Sequence, residues 1–152
     1  MSDLFGLSNL YIDNILKPSC KKYLGIFACD NIPPSTKNKC GSIIVNLAPA
    51  ASLGTHFITI LLLEDRVFYI DSLGKKCDVS HILEFLAPTK KPIFYQSVPM
   101  QEPQSSFCGF YSMLVVTHYE LTKQWKNPFK KTTNNDVLCI YLLCQNLQKL
   151  KK

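Results

Sequence analysis

The sequence lacks a long uninterrupted apolar run. Its longest, "HFITILLL" from His56 to Leu63, has the length of a strand and falls well short of the roughly 18 residues of a membrane span. The opening "MSDLFGLSNLYIDNILK" contains Asp3 and Asp13 and has no basic segment followed by an apolar stretch, so it does not resemble a secretory signal. We therefore expect an intracellular protein with no membrane association.

Cysteines at metal-binding spacing are also missing. There is no C-x-x-C pair and no series of Cys and His residues at the spacing of zinc ligands, which argues against a zinc site. The seven cysteines form an odd set at irregular spacing, so we expect reduced thiols and no required metal or cofactor. They are Cys20, Cys29, Cys40, Cys77, Cys108, Cys139 and Cys144.

Acidic residues are outnumbered, with 11 Asp and Glu against 17 Lys and Arg and a net charge of +6. Many lysines occur in groups: Lys37 and Lys39, Lys75 and Lys76, Lys90 and Lys91, Lys130 and Lys131, and Lys149, Lys151 and Lys152. The simpler interpretation is a set of solvated loop ends. The alternative is a weak, sequence-independent attraction to nucleic acid, because no base-reading motif accompanies the charge.

The length of 152 residues, the 47% hydrophobic content and the absence of repeats predict one monomeric domain over residues 1–152. The predicted strands are Tyr23–Ala28, the segment "GSIIVNLAP", two runs of "THFITILLLEDRVFYIDSLG" and Pro92–Val98. Four helices are predicted. The first opens the chain and packs through Leu7, Leu10, Tyr11, Ile15 and Leu16, and the second is short and capped by Asp78. The third is long, from Phe107 to about Gln124, and the fourth begins at about Asp136 with an apolar stripe of Val137, Ile140, Tyr141, Cys144 and Leu147. This order is typical of an α+β fold with a mostly antiparallel or mixed central sheet flanked by helices.

Cys108 is a candidate nucleophile because of where the pattern places it. It lies at the predicted N-terminus of the long helix, where unpaired N–H groups and the helix dipole lower a thiol pKa. A buried structural cysteine at a helix start remains the ordinary alternative.

A cysteine nucleophile needs a base, and the sequence has only three histidines. His118 follows Cys108 on the same helix, roughly 15 Å away at 1.5 Å per residue, which is too far to act on it. His81 falls inside the short helix, as a surface or packing residue. His56 begins the apolar strand, where a strand end can present its ring to a neighbouring helix.

His56 in turn needs a carboxylate to orient it, and Asp71 closes the second run of the predicted hairpin. A two-residue loop at Glu64 and Asp65 places His56 opposite Leu73, so Asp71 shares the face of His56 one diagonal away. A three-residue turn would put Asp71 on the opposite face.

A side-chain amide could complete an oxyanion site together with the Cys108 backbone N–H. Gln96, Gln101 and Gln104 all precede the cysteine, and the residues themselves leave the choice among them open.

The segments "GTHF", "FYIDSLG" and "QEPQSSFCGFYSML" resemble adenain, the adenovirus-type cysteine protease, and the wider clan that includes SUMO-specific proteases. The order is His, acidic residue, Gln, Cys, and the similarity spans roughly Tyr23 to Gln124. The resemblance implies a papain-related fold, with Cys108 as nucleophile, His56 as general base, Asp71 as its orienting group and Gln101 as the oxyanion donor. It departs from adenovirus enzymes in having Asp71 where they have Glu.

The resemblance further implies an endopeptidase that cleaves viral precursor polypeptides after glycine, in Gly-Gly or Gly-x sites, during virion maturation. The host nucleus or the virion is the implied location, and stimulation by DNA or by a viral peptide is compatible with the family. Two alternatives stay open at this point. One is a protease for ubiquitin-like modifiers, and the other is a catalytically inactive DNA-binding or scaffold protein in which the four residues coincide by chance.

Overall fold

A computed structural model describes residues 8–50, 56–130 and 134–151. Its helices are α1 (Asn9–Leu16), α2 (Ser80–Leu86), α3 (Cys108–Thr122) and α4 (Asp136–Leu150). Its strands are β1 (Tyr23–Ala28), β2 (Gly41–Asn46), β3 (Phe57–Leu62), β4 (Val67–Ile70) and β5 (Ile93–Tyr95). Short 3-10 helices cover Pro34–Asn38 and Ala87–Thr89.

The five strands form one mixed sheet in the order β1-β2-β3-β4-β5. The inner pairs β2/β3 and β3/β4 are antiparallel, whereas the outer pairs β1/β2 and β4/β5 are parallel. Every residue of β2 and β3 is buried, which is typical of strands in the middle of a sheet that is covered on both faces. The predicted fold class, an α+β fold with a mixed central sheet flanked by helices, is confirmed.

Helices cover both faces of the sheet. Alternate residues of β2 point in opposite directions, so Ile43 joins the core beneath α2 while Ile44 packs toward α1, α3 and α4. Helix α3 is apolar on nearly all sides because it lies between the sheet and α4, with Met113, Leu114 and Val116 buried. Cys108 is its first residue, so the fold places this thiol at one end of the central helix.

Two predicted helix faces are correct only in part. In α1, the predicted Ile15 and Leu16 do pack against the core, together with Ile12 one turn before Leu16. The predicted Leu10 and Tyr11 do not, since they are 69% and 49% exposed. The predicted Leu7 lies outside the described residues.

In α4, the predicted Leu147 packs against the core, but Val137 is 80% exposed and Tyr141 is 59% exposed, whereas Cys139 and Leu143 are buried. Both helices carry apolar residues on more than one side, so periodicity alone did not identify the side that α3 covers.

Bounds of α2, β2 and β5 also differ from the predictions. Asp78 does not cap α2, which begins after Val79 without a side-chain cap. Strand β2 stops at Asn46, before the predicted Pro49, and β5 is limited to Ile93–Tyr95. Within the described ranges, no helix combines the length and the apolar character that crossing a membrane requires.

Candidate functional site

The β3–β4 hairpin has the register that its two-residue loop predicted. Thr59 pairs with Ile70 and Leu62 with Val67, and the amide of Leu63 bonds the carbonyl of Arg66 across Glu64 and Asp65. His56 directly precedes β3 and Asp71 directly follows β4, so both side chains leave the same end of the hairpin. The predicted sharing of one face is confirmed: Nε2 of His56 lies 2.7 Å from Oδ1 of Asp71.

Asp71 is held by the turn that it begins. Its Oδ1 also accepts a hydrogen bond from the amide of Leu73 at 2.8 Å, and its carbonyl accepts one from the amide of Gly74 at 2.8 Å. Asp71 is 2% exposed, so the backbone and the histidine satisfy a carboxylate that has little access to water.

Gly74 permits a close approach between this turn and the connection that follows β5. It has φ +75°, a left-handed conformation that favours glycine. A Cβ at this position would lie 3.0 Å from the nitrogen of Pro99 and 3.0 Å from the carbonyl oxygen of Ser97. The turn therefore packs tightly against the segment that leads to Gln101 and Cys108.

The Cys108 thiol reaches the same histidine. Burial raises the pKa of Cys108, but a hydrogen bond from His56, N–H donors of Phe57 and Gly109 and the positive charge of the ring outweigh it and lower the pKa. Because Nε2 of His56 faces Asp71, Nδ1 is the ring nitrogen left for the thiol. The fold thus brings together the residue before β3, the residue after β4 and the first residue of α3, which are distant in sequence.

The pKa of His56 is shifted in the opposite direction, upward. Burial lowers its pKa, yet the hydrogen bonds and negative charges of Asp71 and Cys108 prevail and raise the pKa to about 9. A lowered pKa at Cys108 and a raised pKa at His56 both favour the charged forms, a thiolate beside an imidazolium. Such a pair supplies a nucleophile and a proton donor at once.

Gln101 joins the site through the Asp71 turn. The hydroxyl of Ser72 donates to Oε1 of Gln101, and the carbonyl of Ser72 accepts from the amides of Met100 and Gln101. Nε2 of Gln101 donates to the carbonyl of Ser105 at 2.8 Å. With both amide ends engaged, Gln101 is fixed in one orientation and is 2% exposed.

The other two glutamines have different partners. Gln104 is exposed, and its Nε2 lies 3.1 Å from the carboxylate of Glu102. Gln96 accepts a hydrogen bond from the Trp125 indole and donates to the carbonyl of Val98. Burial and contact with the Asp71 turn therefore distinguish Gln101 among the three candidates.

The remaining histidines lie elsewhere. His81 is exposed on α2, and His118 packs edge-on against Trp125 further along α3. In the part of the chain that the structure describes, no three His, Cys, Asp or Glu side chains are grouped as a metal site requires.

Three polar residues around the site were not identified from the sequence. Ser72 and Ser105 hold the amide of Gln101, and Asp136 accepts a hydrogen bond from the Ser105 hydroxyl. Ser72 could have been found from its place beside Asp71 at the strand end. Ser105 belongs to the segment "QEPQSSFCG" on which the resemblance rests, but no role was assigned to it. Asp136 carries no local signal, because its pairing with Ser105 depends on how α4 packs.

No protein-family model and no curated protein sequence matches this chain. Among solved structures, two crystal structures of the ASFV pS273R protease align at 14% and 13% identity with TM-scores of 0.55 and 0.59. They cover 93% of this chain and 68% and 67% of theirs.

The SUMO protease Ulp1, in a structure with its catalytic cysteine oxidised to a sulfinic acid, aligns at 14% identity with a TM-score of 0.53. The alignment covers 99% of this chain and 81% of that one. At such identities the similarity establishes the fold, which is that of Ulp1-like, papain-related cysteine proteases.

Proposed function

We propose that the protein is a cysteine endopeptidase in which Cys108 is the nucleophile and His56 the general base and acid. Asp71 orients the His56 ring, and Gln101 donates to the oxyanion. The observation that carries the proposal is the position of His56, bonded to Asp71 on one side and to the Cys108 thiol on the other. The shared fold with known proteases supports it.

The geometry suits acyl transfer. The Cys108 thiolate would attack the scissile carbonyl carbon and form a C–S bond, while the carbonyl oxygen gains the negative charge. Gln101 and the N–H at the start of α3 would donate to that oxygen. The His56 imidazolium would then give its proton to the leaving amine, and water activated by the neutral ring would release the acid and regenerate the thiolate.

We further propose that the substrates are viral precursor polypeptides cleaved after glycine, in Gly-Gly or Gly-x sites, during virion maturation. This finer assignment rests on the resemblance of "GTHF", "FYIDSLG" and "QEPQSSFCG" to adenain. Action in the host nucleus or the virion, and stimulation by DNA or by a viral peptide, belong to the same proposal. The net charge of +6 is compatible with an association with DNA.

Cleavage of peptides tests the proposal. Purified protein is incubated with matched peptides in which the residue before the scissile bond is Gly, Ala or Ser, and the products are identified by mass spectrometry. We expect cleavage after Gly by the parent and none by Cys108→Ala. If Cys108→Ala cleaves as fast as the parent, the nucleophile assignment is wrong.

A protease for ubiquitin-like modifiers is the second candidate. It is favoured by the alignment with the SUMO protease Ulp1, which covers 99% of this chain. Incubation with SUMO or ubiquitin conjugates separates the two functions. Release of the modifier at rates well above those for Gly-x peptides would favour this second candidate.

A further inference from the structure

The two residues that precede α4 contact the Gln101 loop on both sides of the glutamine. Before it, Nδ2 of Asn135 donates to the carbonyl of Met100 at 2.9 Å. After it, the amide of Asn134 donates to the Glu102 carboxylate at 3.1 Å. A third contact joins the Asp136 carboxylate to the same loop, so α4 holds the loop although it contributes no group to the reaction.

Ser105 transmits the third contact to Gln101. Its hydroxyl donates to Oδ2 of Asp136 at 2.8 Å and accepts from the amide of Phe107 at 3.2 Å. Its carbonyl accepts from Nε2 of Gln101 at 2.8 Å. Displacement of Ser105 would therefore move the acceptor that sets the position of the Gln101 amide.

The carbonyl of Ser105 also decides which way the amide faces. A carbonyl oxygen can only accept, so it selects the NH2 end of Gln101, while the Ser72 hydroxyl donates to the opposite end. One amide hydrogen is used by Ser105, and the proposed donation to the oxyanion requires the second. A reversed amide would place two acceptors together and would offer the oxyanion no donor.

The other oxygen of Asp136 is bound to the nucleophile helix. The hydroxyl of Tyr111, one turn after Cys108, donates to Oδ1 at 2.9 Å. A single carboxylate thus links the loop that carries Gln101 to the helix that carries Cys108. This fixes the distance between the oxyanion donor and the nucleophile, on which acyl transfer depends steeply.

We infer that Asp136 is a positioning residue that sets the Gln101 amide through Ser105. The inference rests on the proposed function. It predicts that loss of Asp136 weakens stabilisation of the oxyanion and leaves substrate binding and the thiolate intact.

The test uses Asp136→Ala and the shape-conserving Asp136→Asn, with Asp13→Ala as the matched control. Asp13 likewise accepts a hydrogen bond from a tyrosine hydroxyl, that of Tyr23 at 2.7 Å, but it lies on α1. Each variant is assayed for kcat and KM on a Gly-x peptide and for alkylation of Cys108. Inhibition is measured with a peptide aldehyde, whose hemithioacetal oxygen occupies the oxyanion site, and with the corresponding alcohol.

For Asp136→Ala we expect kcat and aldehyde affinity to fall by up to about 100-fold. KM and the affinity for the alcohol should change by less than about twofold, and the pH at which Cys108 is alkylated should stay where it is in the parent. Asp136→Asn should lose less of its kcat and aldehyde affinity, because its amide oxygen still accepts one hydrogen bond. The control Asp13→Ala should keep the kcat of the parent.

The decisive measurement is the double variant with Gln101→Ala. If Asp136 acts through Gln101, removing Asp136 in that background adds little further loss. Two outcomes overturn the inference when the parent protein is active. One is that the losses of kcat from Asp136→Ala and Gln101→Ala add fully in the double variant, and the other is that Asp136→Ala loses alcohol binding and alkylation as much as it loses kcat. A parent protein that cleaves no peptide and binds no aldehyde overturns the proposed function first, and this inference with it.

Discussion

Oδ1 of Asp71 lies 2.7 Å from Nε2 of His56 while it also accepts the amide of Leu73 at 2.8 Å. The carboxylate is therefore fixed by its own turn before it meets the histidine. In the proposed mechanism, a carboxylate held in this way would restrict the His56 ring and stabilise its positive charge without having to move during the reaction.

Asp71→Asn should move the basic limb of the pH–rate profile. In the parent, we expect kcat/KM to rise through the lowered pKa of Cys108 and to fall near pH 9, where His56 loses its proton. Removing the carboxylate charge takes away a cause of the raised His56 pKa, so the basic limb shifts to lower pH. The rate at the optimum should also fall by about 100-fold or more.

The control is Asp78→Asn, which removes the same charge from an exposed position on the following connection. Its basic limb should coincide with that of the parent. An unchanged basic limb in Asp71→Asn would contradict the assigned role of Asp71.

Gln101→Ala should lower kcat by about 10²- to 10³-fold with little change in KM, because the lost donor acts on charge that develops only in the transition state. Gln104→Ala is the matched control, since Gln104 is exposed and bonded to Glu102. Steady-state kinetics on one Gly-x peptide suffice. Equal losses in both variants would leave the oxyanion donor unassigned to Gln101.

Alkylation of Cys108 should depend on His56. Iodoacetamide labelling, followed by mass spectrometry across a pH series, should show Cys108 reacting at a lower pH than an ordinary thiol, whose pKa is about 8.5. In His56→Ala the main cause of the lowered pKa is gone, so the labelling profile should move to higher pH. The exposed Cys144 serves as an internal reference, and identical Cys108 profiles in the two proteins would refute the ion pair.

Gly74→Ala should destabilise the fold and impair the site. A side chain at φ +75° costs about 1 kcal/mol, and its Cβ would press on the backbone of Ser97 and Pro99. We expect a loss of about 1 to 3 kcal/mol in the free energy of unfolding, measured with urea. Gly74→Asn should lose less stability, because asparagine tolerates this φ better than alanine does. A Gly74→Ala variant as stable as the parent would contradict the prediction and show that the turn can relax.

The sequence predicted the features that depend on local spacing. The two-residue loop at Glu64 and Asp65 determined the hairpin register, and the register placed His56 and Asp71 on one face. The loop before Cys108 likewise predicted a helix that begins close to this thiol, and α3 begins at Cys108 itself. These inferences needed only strand alternation and helix periodicity.

Features that depend on packing could not be read in the same way. The buried side of α4 runs through Cys139 and Leu143 rather than Val137 and Tyr141, because α3 determines which side is covered. The preference for Gln101 over Gln104 came from a resemblance, and its physical basis is contact with Ser72 across a distant turn. Asp136 was predicted only as a helix start, since both its partners precede it by many residues.

The position of α4 after Cys108 has a consequence for synthesis. Translation proceeds from the N-terminus, so the hairpin and the nucleophile helix leave the ribosome before α4 does. Until α4 packs on α3, Ser105 and Tyr111 have no Asp136 to bond, and the Gln101 loop lacks its support. On the proposed mechanism, a nascent chain would present the Cys108 thiol before the oxyanion donor is held in place, and cleavage would become efficient only once α4 has packed on α3.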